Sequence, residues 1–297
     1  MFVTYMNHFS PPINLSNYCQ SIIIFIVGLC LGSFVNVCIW RMPKKKSIIY
    51  PFSSCPKCGN YLRWYENIPL LSYLFLKGRC HHCNEKISVQ YPLVELLSGL
   101  IFLLIYLKFS FSIQLFFVLI LSIFLLIASG IDYFHRIVPN KLTYSLIIIG
   151  LSLSFSNPFL EFPHFISDII YHQLQFTRFF YALSSMFIAS GFLYFIGLLG
   201  EKIFKKEAMG GGDVKLLAGI GTFVGIKNIF WIIFLASTIG GITGLIKILY
   251  RKLIKRDNRL SSDAVVQNLT FASDDDTLIP FAPYLSIATF ITLLFVN

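Results

Sequence analysis

The sequence predicts an all-α polytopic membrane protein with about eight transmembrane helices and one small soluble insertion between the first two. Two observations carry that prediction. Of the 297 residues, 56% are hydrophobic and 13% charged, with a mean hydropathy of +0.72, whereas an average soluble domain is roughly 25% charged. Apolar runs long enough to cross a bilayer, which takes ~18–20 residues, recur along nearly the whole chain. A soluble globular enzyme is thereby excluded, and bilayer covers most of the surface.

The spans fall at residues 21–40, 92–109, 113–131, 142–157, 178–200, 214–226, 229–249 and 280–296. The formal charge of +10 follows their topology. If the first connecting loop is cytoplasmic, 21 of the 24 Lys and Arg residues lie on that side, leaving Lys108, Arg178 and Lys227 outside. This is the positive-inside asymmetry, so the basic excess sets orientation in the membrane and is not a nucleic-acid surface. Residues 1–20 hold no Lys or Arg and lead into the first span without a small-residue cleavage site, so that helix is expected to stay, with the N-terminus outside. Three units result: an outside tail with the first helix (1–40), a cytoplasmic insertion (41–91) and a seven-helix membrane domain (92–297). The stretch 250–279, basic and then acidic through Asp274, Asp275 and Asp276, reads as a solvated linker.

The insertion carries Cys55-Pro56-Lys57-Cys58 and Cys80-His81-His82-Cys83, two CxxC pairs separated by 21 residues. Turn residues Pro56, Gly59 and Asn84 let two knuckles bring four thiolates around one Zn²⁺, a structural site with no open coordination position. Disulfides are the competing pairing, disfavoured in a reducing cytoplasm. His81 or His82 is an alternative ligand. Cys19, Cys30 and Cys38 have no partner spacing and read as small apolar fillers.

Acids at the rims of spans are costly and point to chemistry. Asp132 ends the third span, Asp213 opens the sixth after Gly210, Gly211 and Gly212, and Glu95 lies one turn into the second. Counting crossings from an outside N-terminus puts Asp132 and Asp213 at one depth, the cytoplasmic boundary. Two such carboxylates can share a proton and a water, as aspartic proteolysis requires. The glycines allow close approach of a substrate backbone. The helix N-terminus favours Asp213 as the base and leaves Asp132 the acid. The bland alternative is that Asp213 merely caps its helix while Asp132 pairs with Arg136, Lys141 or Lys215.

Taken together, these residues resemble the prepilin peptidase family, the bifunctional leader peptidases and N-methyltransferases of type IV pilin and type II secretion systems. The match begins at Gly32-Ser33-Phe34-Val35-Asn36-Val37 with Arg41 and Pro43, and runs through the Cys pairs. It continues through the stretch Arg63 to Pro69, Tyr91-Pro92-Leu93-Val94-Glu95, Asp132 with Pro139, Gly210 to Asp213 with Lys215 and Leu216, and Ile279-Pro280-Phe281. The resemblance implies that Asp132 and Asp213 cut the leader of a prepilin or pseudopilin after a glycine, supported by the Gly210–Gly212 loop and Lys215. It also implies that S-adenosylmethionine then methylates the new N-terminus, though no residue pattern marks a donor pocket. Asn140 stands where many relatives have Asp, Glu66 where Asp is common, and Ala282 where Gly is usual.

Two rival functions use paired acids. A presenilin-type intramembrane protease shares GxGD, but there the partner acid follows Tyr, and Ile131 precedes Asp132 here. A proton-coupled transporter places acids at mid-membrane in repeated halves. No GxSxG, HExxH or GxxxxGK[ST] motif occurs. His135 is read as facing headgroups, and Gly28/Gly32, Gly221/Gly225 and Gly240/Gly244 as close helix contacts.

Overall fold

The computed structural model describes residues 15–160, 174–205, 210–257 and 280–296. The outside tail before residue 15 and most of the linker 250–279 lie outside the described residues, and so does Ile279. Among the described residues there are eight α-helices: α1 Leu15–Arg41, α2 Leu71–Phe75, α3 Gln90–Phe109, α4 Ile113–His135, α5 Asn140–Leu153, α6 Leu174–Phe204, α7 Gly211–Asp257 and α8 Ala282–Ile291. The described residues contain no named strand. Two isolated bridges, Ser54 with Tyr61 and Arg79 with Lys86, sit in the insertion.

Five of these helices, α1, α3, α4, α6 and α7, are long and apolar enough to cross a membrane. The other three are short, α2 with only five residues. At 1.5 Å per residue the 14 residues of α5 cover about 21 Å, less than a ~30 Å hydrocarbon core, and α8 has 10 residues followed by a π turn. Length alone thus supports five spans with α7 counted as one, although it breaks at Gly225.

Local signals set the ends. Ser112 caps α4, its hydroxyl accepting from the Leu115 N–H. Arg136 closes the same helix in a left-handed conformation at φ 55°. Pro139 with φ −65° precedes α5, and Pro283 stands in the first turn of α8.

The spans expected at 214–226 and 229–249 join without a loop inside α7, where Gly225 adopts φ 73°, ψ 170°. In a straight helix Gly221 and Ile229 would be about 12 Å apart along the axis. Here Ile229 Cδ1 comes within 3.2 Å of where a Cβ on Gly221 would be, so the chain folds back. The break frees backbone groups that the bilayer cannot solvate, and side chains take them up. Asn157 Nδ2 donates to the Phe223 carbonyl at 2.8 Å and Asn228 Nδ2 to that of Val224 at 3.0 Å. Gly225, expected to serve close packing, does so, since a Cβ there would lie 2.9 Å from the Tyr181 ring, and it also makes the turn.

Lipid tails are as apolar as leucine, so helices associate through close packing and hydrogen bonds rather than through the hydrophobic effect. A Cβ on Gly28 would lie 2.8 Å from the Gly99 Cα, and one on Gly32 would lie 2.7 Å from the Glu95 Cα, which shows how closely α1 and α3 touch. Gly219 is pressed against Leu146 in the same way, joining α5 to α7. Gly240 has room, with Tyr284 no nearer than 3.5 Å. At the centre α4 buries Leu121, Leu125, Ala128 and Ile131 against Val35 and Ile39 of α1 and Leu285 of α8. The Ser129 and Ser286 hydroxyls join α4 to α8 at 2.6 Å.

Candidate active site and thiol centre

The site is built where three helix ends meet. Asp132 lies in the last turn of α4, only 6% exposed, and its Oδ2 accepts the Ala282 N–H at 2.9 Å. Ala282 is the first residue of α8, whose initial N–H groups have no helical partner, so Asp132 satisfies one of them and meets the positive end of that helix. Asp213 lies in the first turn of α7. Its N–H donates to the Gly210 carbonyl at 3.1 Å, while its Oδ1 is buried with no hydrogen-bond partner among the described residues. The Asp132 carboxylate is near enough to act on it electrostatically.

What brings the two ends together is a contact without side-chain chemistry. A Cβ on Gly212 would be 2.8 Å from Val138 Cβ and 3.2 Å from the Val138 carbonyl, so the glycine loop lies directly on the segment between α4 and α5. Only Gly fits there. A second link follows three residues on, where Lys215 Nζ donates to Asn140 Oδ1 at 2.8 Å and lies 5.3 Å over the Tyr144 ring. Lys215 is therefore not the partner of Asp132; Arg136 is the cation that bears on Asp132. His135 is half-buried, edge-on to Trp40 at 6.0 Å, with Nε2 buried and unbonded among the described residues. That is a packed position rather than a headgroup-facing one.

Sequence reasoning missed the Ala282 N–H, because a backbone donor has no side-chain signature. Pro283, a helix-start residue, was the available signal. It also left Glu95 and Glu66 without tasks. Glu95, buried, accepts the Leu70 N–H at 2.9 Å and ties the insertion to α3; Glu66, buried, accepts the Arg63 N–H at 2.8 Å. Asn36 Nδ2 donates to the Tyr91 carbonyl at 3.0 Å, linking α1 to the start of α3.

In the insertion the sulfurs of Cys55, Cys58, Cys80 and Cys83 all lie within 4.8 Å of one another, with Cys55 and Cys83 at 3.9 Å. Tetrahedral Zn–S bonds of ~2.3 Å would put sulfurs about 3.8 Å apart, so the donor set fits zinc, and all four thiols are free. The two knuckles are copies. Gly59 N–H donates to the Cys55 carbonyl and Asn84 N–H to that of Cys80, while Cys55 and Cys80 donate to Asn60 and Glu85. Gly59 and Asn84 hold the same left-handed position at φ 75° and 55°. The N–H groups of Cys83 and then His82, pointing at the Cys80 sulfur, draw its thiol down to about 7. His81 and His82 meet edge to face in the open and stand outside the cluster. Of the three remaining cysteines only Cys38 is buried; Cys19 and Cys30 lie on the helix surface, which corrects their reading as fillers.

A helical membrane bundle with two carboxylates meeting at one end, beside a four-thiol ribbon, has the make-up of a membrane-embedded aspartic peptidase. The chain belongs to the type IV leader peptidase family, whose model matches residues 119–245, and the bacterial peptidase A24 N-terminal domain matches residues 26–109. It is 38% identical over 77% of its length to a prepilin leader peptidase/N-methyltransferase of Myxococcus xanthus, of which it covers 63%. Relatives of the same description are 31% identical in Xanthomonas campestris, over 91% of this chain and 90% of the relative, and 37% identical in Vibrio cholerae, over 75% and 84%. No solved structure matches.

Proposed function

We propose that the chain removes the leader of type IV prepilins or pseudopilins by aspartic proteolysis at the cytoplasmic face of the inner membrane, then methylates the new N-terminus. The observation that carries the proteolytic reading is the apposition of the Asp132 and Asp213 loops through Gly212 and Val138. One carboxylate takes a proton from water while the other, protonated, polarises the scissile carbonyl. Water oxygen bonds to the carbonyl carbon, the C–N bond breaks, and the leaving amine takes up a proton. Hydrogen bonding favours reversing the roles expected from helix position alone: Asp132, held by the α8 N-terminus, suits the base, and Asp213, with its unbonded oxygen, suits the acid.

The three units 1–40, 41–91 and 92–297 serve this division, with Cys55, Cys58, Cys80 and Cys83 holding one structural Zn²⁺ and Gly210, Gly211, Gly212 and Lys215 shaping the loop behind the dyad. Bound zinc would cross-link the two knuckles and supply no reacting group. The methyl transfer rests on the names of the relatives and on the resemblance; S-adenosylmethionine is assigned no residues. The asymmetry of Lys and Arg supports a cytoplasmic insertion and an outside N-terminus.

The test is incubation of the purified full chain in detergent with a type IV prepilin. Asp132→Asn and Asp213→Asn should each lower cleavage by at least about 100-fold while the protein remains helical. Cleavage by either variant at the parent rate would reject the dyad.

A further inference from the structure

The insertion wears two different surfaces. Its knuckles present Lys57, Asn60, His81, His82 and Asn84 to solvent. The stretch between them presents Trp64 at 81% exposure, Leu74 at 69% and Phe75 at 82%, with Leu71 beside them half exposed. No water-facing module of this size has reason to show so much apolar area, and α2, with five residues, cannot be stable as a free helix.

Its depth is fixed by the Leu70 N–H bond to Glu95. The 20 residues of α3 just span a ~30 Å hydrocarbon core, so its first residue marks the boundary, and Glu95, five residues further on, lies about 7.5 Å inside. Helices that lie in the plane of the membrane bury their apolar face ~5–10 Å into the boundary between headgroups and acyl chains. At the same level α3 exposes Leu93, Leu96 and Leu97, which belong to the lipid-facing surface of the bundle. Exposed cations bracket the stretch, Arg63 before Trp64 and Lys77 and Arg79 after Phe75, placed to reach headgroup phosphates from an apolar segment.

We infer that residues 64–76 form an interfacial anchor, with Trp64, Leu71, Leu74 and Phe75 inserted into the leaflet at the dyad end and Arg63, Lys77 and Arg79 on its headgroups. The anchor holds the thiol ribbon down on the membrane surface at the level where the substrate must be cut, so the insertion sits over the site rather than swinging on its two tethers.

The experiment uses the full chain carrying Trp40→Phe and Trp231→Phe, so that Trp64 is the sole tryptophan, in phosphatidylcholine/phosphatidylglycerol vesicles. Lipids brominated near the headgroup end of the acyl chain should quench Trp64 several-fold, and aqueous acrylamide should quench it weakly. Strong acrylamide quenching without bromolipid quenching would overturn the anchor. Shielding from both would overturn it too, because a protein surface would then cover the patch. Phe75→Ser with Leu74→Ser should abolish bromolipid quenching while zinc stays bound; undiminished quenching in that variant would overturn the role of α2, and the parent measurement stands whether or not the variant folds.

Discussion

The thiol ribbon and the carboxylate pair are both four-part assemblies of loop and ligand, yet they are made in opposite ways. Each knuckle closes within six residues, by backbone hydrogen bonds that repeat from Cys55 to Asn60 and from Cys80 to Glu85. The dyad draws Asp132 and Asp213 from helix ends 81 residues apart, Val138 from a connecting loop and the Ala282 N–H from a further helix. A local site depends on its own turns and its metal. A non-local site depends on every helix that sets the distance between its parts, so damage should spread asymmetrically between the two.

The largest expected effect separates chemistry from scaffolding inside the dyad. Asp213→Asn should abolish cleavage with little change in thermal stability, whereas Asp132→Asn should also lose about 0.5–2 kcal/mol, since it weakens a helix N-terminal cap. Equal melting temperatures for the two would break the assignment of Asp132 to α8. Next comes Gly212→Ala, whose added methyl group meets Val138 at 2.8 Å. A displacement of about 1 Å at the dyad should cost ~100-fold in kcat, and Val138→Gly in the same chain, which removes the clashing Cβ, should restore part of it. Zinc content should not move in either variant.

The reverse perturbation is Cys55→Ser with Cys58→Ser. Metal analysis should fall from about one zinc per chain to none, while circular dichroism of the bundle stays close to that of the parent. Loss of bundle helicity would show that the two regions are not independent. Acidification sharpens the same point, because thiolate ligands must be deprotonated to hold metal. Lowering the pH should release zinc to a chelator, with helicity unaffected. Least of all should be Lys57→Ala, which breaks the exposed 3.3 Å pair with Glu85 that bridges the knuckles; at the surface it should cost under about 1 kcal/mol and release no zinc.

How much of this was legible in the sequence follows the same division. The four cysteines were fully readable, because CxxC with a left-handed residue after it encodes its own turn. Asp132 and Asp213 were readable as rim acids at one depth. What held them together was not: Gly212 against Val138 is a matter of close fit between two loops, and Lys215 bonding Asn140 depends on how α5 meets α7. Gly225 shows the limit from another side. As a member of a GxxxG pair it promised helix contact, which Tyr181 supplies, and only the folded backbone, with the Asn157 and Asn228 amides beside it, reveals that it also turns the chain.

By itself the sequence determined the class of solvent each segment meets, the presence of the long helices, the four-cysteine cluster and the two acids at helix ends, because hydropathy, charge asymmetry and turn residues act within a few positions of one another. Tertiary structure alone decided that Asp132 would receive the first N–H of α8, that the glycine loop would rest on Val138, and that the start of α2 would bond to Glu95. Those outcomes rest on close packing between helices in a medium that gives apolar surfaces no preference for each other over lipid. Shape complementarity therefore chooses the neighbours, and shape is a property of the assembled bundle.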